Sequence, residues 1–134
     1  MINNLKLGQL GEDIAKKYLE EKGYKILEQN CKNKYGEIDL VCGLPAGRQG
    51  DKNTIVFVEV KTRTGEQFGT PEDSLKRGKI KRLMKNAQAY MMGITKRNPN
   101  KPIPLPYRID AICIVLEKGG EIRRLNHYEN INVF

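Results

Sequence analysis

Gly36-Glu37-Ile38-Asp39-Leu40-Val41 and Val56-Phe57-Val58-Glu59-Val60-Lys61-Thr62-Arg63 decide the reading of this chain. Both read as strands, and both carry charge where a strand should be apolar. Side chains alternate across a strand with period two, so Glu59 and Lys61 share a face with Ile55 and Phe57. Val56, Val58 and Val60 point the other way, into a core. In the first strand Ile38 and Leu40 form one face, while Glu37 and Asp39 lie on the other. A Glu-x-Lys pair on an edge strand is ordinarily solvated. Here its neighbours are β-branched or aromatic, which suits a central strand better. If the two strands pair, carboxylates and an amine gather in one small space, and burying them is costly unless they are paired or hold a metal ion.

With 134 residues and 15.3 kDa, the chain has the size of one domain spanning residues 1–134. Its formal charge of +8 favours a polyanionic partner, nucleic acid or an anionic membrane surface. The N-terminus lacks the apolar segment of a signal peptide, and the longest apolar run, Ala111 to Leu116, is too short to span a bilayer. Cys31, Cys42 and Cys113 contain no CxxC pair and read as reduced thiols, which places the protein in the cytoplasm. One histidine (His127) and one serine (Ser74) lie far apart, with no motif for nucleophilic catalysis. No phosphate-cradling glycine loop is present, which argues against a nucleotide cofactor. An enzyme built from this chain would use carboxylates, lysine and a hard metal ion.

Helical periodicity predicts a helix from Leu5 to Lys22, capped by Gly23. Gly8, Gly11 and Ala15 form a small-residue flank that allows close approach to a sheet, and Glu12 projects from the same flank. Tyr24 to Glu28 reads as a strand, Asn30 to Lys34 as irregular, and Gly43 to Asn53 as a long loop between the two motif strands. Thr70-Pro71-Glu72-Asp73 has the signature of a helix start. Gly78 is expected to break or kink the chain, with a helix from Lys79 burying Ile80, Leu83, Met84, Ala87, Tyr90 and Met91. Asn98 to Pro106 is a proline-rich loop. Strands come next at Tyr107 to Leu116 and Glu121 to Leu125. The order α-β-β-β-α-β-β predicts an α/β (α+β) fold: a mixed central sheet flanked by an N-terminal helix and a basic second helix.

From Lys76 to Lys101 there are nine basic residues and no acidic one. Lys76, Arg77, Lys79, Lys81, Arg82 and Lys85, with Arg63 beside the Glu-x-Lys strand, read as a sequence-neutral phosphate-contacting surface. This helix lacks the aromatic-rich apolar face of a membrane anchor. Phosphodiester hydrolysis needs an activated water and neutralisation of phosphoryl charge, which Mg²⁺ or Mn²⁺ supplies. Mg²⁺ takes oxygen ligands, commonly one or two carboxylates with waters and substrate phosphate. Asp39 and Glu59 are the natural ligands. Lys61 is placed to orient or deprotonate a water or to stabilise developing charge, and Glu12 to complete the shell through water.

A helix Glu, an Asp on one strand and Glu-x-Lys on the next resemble the PD-(D/E)xK nuclease superfamily, with Ile38-Asp39 in place of Pro-Asp. More narrowly, Gly8-Gln9-Leu10-Gly11-Glu12, Gly36 to Val41 and Phe57 to Arg63 resemble the YraN family of small bacterial proteins. The likeness continues through Phe68-Gly69, the basic helix, Arg108-Ile109-Asp110 and the closing Asn-Val-Phe. It implies a restriction-endonuclease-like core related to Holliday-junction resolvases. By that resemblance Glu12, Asp39, Glu59 and the Val60 carbonyl bind metal, and Asp39, Glu59 and Lys61 are catalytic. The expected activity is a metal-dependent endonuclease on DNA, branched or single-stranded. A non-catalytic nucleic-acid-binding module of the same fold and an RNA-processing nuclease are the alternatives. Cutting both arms of a junction would require a homodimer. The Gly43 to Asn53 loop is longer than the family's pattern. Glu37, on the face of Asp39, reads either as a third ligand or as a partner of Lys34 or Arg63, with the structural role favoured. Asp110 is expected to make a buried hydrogen bond or salt bridge, and Tyr35 and Tyr90 to be packing residues.

Overall fold

The computed structural model describes residues 3–45, 53–97, 100 and 106–132. Most of the Gly43 to Asn53 loop, most of the proline-rich loop with Lys101, and the final Val133-Phe134 lie outside the described residues. Helix α1 (Asn4–Glu21) is followed by strands β1 (Lys25–Asn33), β2 (Gly36–Gly43) and β3 (Ile55–Thr64). A single 3-10 turn (Pro71–Ser74) leads into helix α2 (Arg77–Arg97), and strands β4 (Tyr107–Leu116) and β5 (Ile122–Tyr128) close the chain. The strands form one sheet in the order β1-β2-β3-β4-β5. Only β3 and β4 run parallel, because α2 carries the chain back between them. This mixed sheet with its two helices is an α+β fold consistent with a restriction-endonuclease-like core.

Helix α1 begins where Asn3 Oδ1 accepts the Lys6 amide at 2.9 Å. It ends in a Schellman motif: Tyr24 N donates to Leu19 O at 2.9 Å and Gly23 N to Glu20 O at 3.0 Å. Gly23, at φ +91°, supplies the left-handed residue this needs. Ala15 and Leu19 are fully buried against Leu40, Val56, Val58, Ile112 and Ile114 on one side of the sheet. At Gly11 the helix meets β3 so closely that an added Cβ would lie 2.8 Å from Thr62 Cβ. Gly8 has open space instead, so the close approach rests on Gly11 and not on the whole small-residue flank.

Helix α2 covers the other side, with Leu83 and Ala87 buried against Ile38, Val41, Phe57 and Ile109. Tyr90 packs edge-on against Phe57, as expected, whereas Tyr35 is 41% exposed rather than packed. The helix begins at Arg77 and continues through Gly78, where the sequence suggests a break. One helical glycine costs only ~1 kcal/mol, which the buried residues of the later turns offset. Strand β1 likewise continues to Asn33 through the segment expected to be irregular, accommodating Asn30 at φ 50°.

Ile38 and Leu40 do not share a face. Ile38 packs with the α2 layer and Leu40 with the α1 layer. The change of face coincides with the end of β2/β3 pairing and lies opposite Asn30, at φ 50°. β2 and β3 are in register only from Leu40↔Val58 to Gly43↔Ile55, and towards Asp39 the two strands part. Strict alternation fails at this fork, and the fork is where the carboxylates lie.

Candidate metal centre and basic face

Where β2 leaves β3, the Val60 amide finds no backbone partner on β2. Asp39 Oδ2 accepts it at 2.8 Å. Asp39 thus replaces a ladder bond with its own side chain and is held against Glu59, with which it shares a hydrogen bond. Glu12, on the α1 flank set by Gly11, also hydrogen-bonds Asp39. Oxygens of Glu12, Glu37 and Asp39 all lie within 4.8 Å of one another. Glu37 therefore belongs to the acidic cluster, the position that the third-ligand reading of the sequence gives it, although the sequence favours the structural role.

These carboxylates oppose one another's ionisation. Burial pushes the Asp39 carboxyl up to about 9, aided by the hydrogen bond and charge of Glu59 and by Glu12, and the Val60 amide only partly offsets this. Burial also raises Glu12, with repulsion from Glu37, Asp13 and Glu59, against the lowering effect of its hydrogen bond to Asp39. Glu59 is only 5% exposed. Its Oε2 receives no directed hydrogen bond, and the charge facing it is the Lys79 ammonium at 3.1 Å.

Two members of this site carry no clear sequence signal. Asn30, turned so that its amide nitrogen faces the carboxylates, lies 2.7 Å from Glu37 Oε1 and 3.1 Å from Glu12 Oε1. Its positive φ is tolerated better by asparagine than by most residues, and the irregular stretch around it is the only hint. Lys79 reads in sequence as one more basic residue of α2, but it faces inward to Glu59.

Lys61 sits half-buried on β3, two residues past Glu59, and lines an open cleft of about 780 Å³ with Arg63, Phe68 and Lys118. Lys76, Arg77, Lys81, Arg82 and Lys85 are exposed along the start of α2.

Asp110 lies outside this cluster. It is fully buried and takes two hydrogen bonds at 2.9 Å from Arg108, one from His127 Nε2 at 2.8 Å and one from the Asn130 amide at 2.9 Å. Burial opposes its ionisation, but His127, Arg108 and the Asn130 amide outweigh it and hold the carboxyl below its ordinary range. Asp110, His127 and Glu129 could by proximity surround a cation. Arg108, 2.9 Å from Asp110 and 3.4 Å from Glu129, already supplies the positive charge. This is the buried salt bridge expected of Asp110.

An oxygen-only donor set suits a hard divalent cation. The crowded carboxylates of Glu12, Glu37 and Asp39 fit such an ion. Among the described residues no helix is long and apolar enough to cross a membrane.

Residues 11–114 match the model of the uncharacterised protein family UPF0102. A UPF0102 protein of Caldanaerobacter subterraneus is 48% identical over 130 residues, covering 96% of each chain. One from Syntrophomonas wolfei is 41% identical over 127 residues, covering 95% of this chain and 97% of its own. One from Flavobacterium johnsoniae is 37% identical over 127 residues, covering 95% of this chain and 94% of its own. With such similarity along nearly its whole length, the chain belongs to the UPF0102 family.

Proposed function

We propose that this protein is a metal-dependent endonuclease of the PD-(D/E)xK type that hydrolyses phosphodiester bonds in DNA. The observation that carries the reading is the carboxylate cluster at the β2/β3 fork. Glu12, Glu37, Asp39 and Glu59 are brought together at the cost of a strongly raised Asp39, which a purely structural site has no reason to bear.

Glu12, Asp39 and Glu59, with the Val60 carbonyl, are the groups that would hold Mg²⁺ or Mn²⁺. When bound, the ion would lower the pKa of a water and neutralise phosphoryl charge. Lys61 would orient or deprotonate the attacking water, or stabilise the negative charge developing on the phosphoryl oxygens. Lys79, already paired with Glu59, is within reach of the same site and would turn to a substrate phosphate once Glu59 is engaged elsewhere. The exposed cations of α2, with Arg63, hold the flanking phosphates without reading bases.

One observation favours the second reading, a nucleic-acid-binding module without catalysis. The Lys79 ammonium already balances Glu59 without an ion. A labelled panel of duplex, flap, four-way junction, single-stranded DNA and RNA, incubated with Mg²⁺ or Mn²⁺, separates the two. Wild type should cut at least one DNA member, and Asp39→Ala and Lys61→Ala should each lose on the order of 10²-fold in rate or more. Salt-sensitive binding in all three proteins with no cutting would establish the binding module. Cutting confined to RNA would establish an RNA nuclease.

A further inference from the structure

Phe68 is 89% exposed, although the short loop that carries it is tied down on both sides. Gly65 N donates to Leu116 O at 2.9 Å, anchoring the loop's start to β4. Arg124 holds Glu66 at 3.1 Å before the tip and Glu72 at 2.7 Å after it. Thr70 N donates to Asp73 Oδ2 at 2.8 Å, and Gly69, at φ +119°, makes the turn between. A phenyl ring on a loose loop could fold back onto apolar surface. Here the tethers on either side limit that escape, and the ring is presented to solvent at the mouth of the cleft that contains Lys61, Arg63 and Lys118.

An aromatic platform beside cations matches an unpaired nucleotide, whose base stacks while its phosphates pair with Lys and Arg. In paired DNA the base faces are covered by their neighbours, and this ring would have nothing to stack on. The same cleft is lined by Lys61, which lies two residues or about 7 Å along the strand from Glu59. A strand held at Phe68 would therefore share its cleft with Lys61, the residue that follows the carboxylate cluster on β3. We propose that Phe68 is the stacking platform for an unpaired nucleobase, with Lys61, Arg63 and Lys118 taking the adjoining phosphates, so that the protein selects DNA offering an unpaired nucleotide over fully paired duplex. This rests on the nuclease reading above and names its substrate class.

The test uses the full chain in metal-free buffer, with a short single strand carrying 2-aminopurine at successive positions and the matched duplex as control. Wild type should bind the single strand with altered 2-aminopurine fluorescence at one position. Phe68→Ala should weaken that binding about tenfold or more, abolish the fluorescence change and leave duplex binding as it was. Phe68→Tyr, which keeps the ring, should restore both. Unchanged single-strand affinity in Phe68→Ala, equal loss on strand and duplex, or no fluorescence change with wild type would each overturn the stacking role while leaving nucleic-acid binding intact. Wild type that binds neither probe would overturn the nuclease reading and this inference together.

Discussion

Lys79 Nζ lies 3.1 Å from Oε2 of Glu59, joining the first turn of α2 to the central strand across the carboxylate cluster. Glu59 is almost fully buried, so removing Lys79 takes away the countercharge and leaves it the hydrogen bond with Asp39. Lys79→Met should therefore destabilise the metal-free protein by about 1–3 kcal/mol. If Glu59 holds a cation, Mn²⁺ should restore more melting temperature to this variant than to wild type. Thermal melts with and without Mn²⁺ measure both, and an equal Mn²⁺ gain in the two proteins would show that Glu59 is not a ligand.

Asp39 gives the metal-free protein an unusual pH dependence. Its carboxyl is raised from 3.8 in the unfolded chain to about 9 by burial and by Glu59. The contribution of this group to stability is thus fully present below the lower value and is lost as pH rises through the upper one. Melting temperature in EDTA should fall between about pH 5 and pH 9, and Asp39→Asn should flatten that slope. At neutral pH the variant should melt several degrees higher, each kcal/mol being worth about 4 °C in a domain of this size. If Asp39 holds a metal ion, binding must displace the same proton, so Mn²⁺ affinity should rise with pH in wild type. A slope identical in both proteins would remove Asp39 as its source.

The features legible in the sequence are the local ones. The Gly23 cap and the core-facing valines of β3 depend on neighbours within a few residues, and they read correctly. The separation of Ile38 from Leu40 occurs where β2 stops pairing with β3 and Asn30 of β1 takes a positive φ, an arrangement of three strands that no single strand encodes. Asn30 enters the cluster only because β1 and α1 both border the fork. Lys79 sits among several cations of one helix, and nothing within the helix distinguishes the one facing Glu59. Gly78 looks like a breaker in isolation, because the residues that offset its cost lie in the turns beyond it. The motifs behind the YraN resemblance contain Glu12, Asp39 and Glu59, and the fold brings these three together.

Gly11 and Gly8 provide a matched pair on one helix. A methyl at Gly11 would run into the Thr62 side chain, whereas at Gly8 it would meet nothing within 4 Å. Gly8→Ala should stabilise the protein by ~0.5–1 kcal/mol through helix propensity alone. Gly11→Ala gains the same propensity but must push α1 off β3, with a net cost of about 1–3 kcal/mol. Because Glu12 is the next residue, the displacement should also weaken Mn²⁺ binding by about tenfold or more, while Gly8→Ala leaves it unchanged. Calorimetric titration of both variants beside their melts checks the pair, and equal behaviour would mean that α1 can shift without cost.

Arg124 and Glu72 fasten the Phe68 loop, and their bond has its own acid limit. Two hydrogen bonds from Arg124, opposed by slight burial and aided by the Tyr128 hydroxyl at 2.7 Å, lower the Glu72 carboxyl from 4.5 to about 2. The stabilisation is present above the higher value and is lost as pH falls through the lower one. Other carboxylates also titrate there, so wild type must be compared with Glu72→Gln rather than read alone. Near neutral pH the variant should melt ~2–5 °C lower, and the gap should close as pH approaches 2. Hydrogen exchange should show faster opening at Gly65 to Ser74 in Glu72→Gln than in wild type at neutral pH. A gap that persists unchanged at low pH would mean that Glu72 contributes through packing and not through its charge.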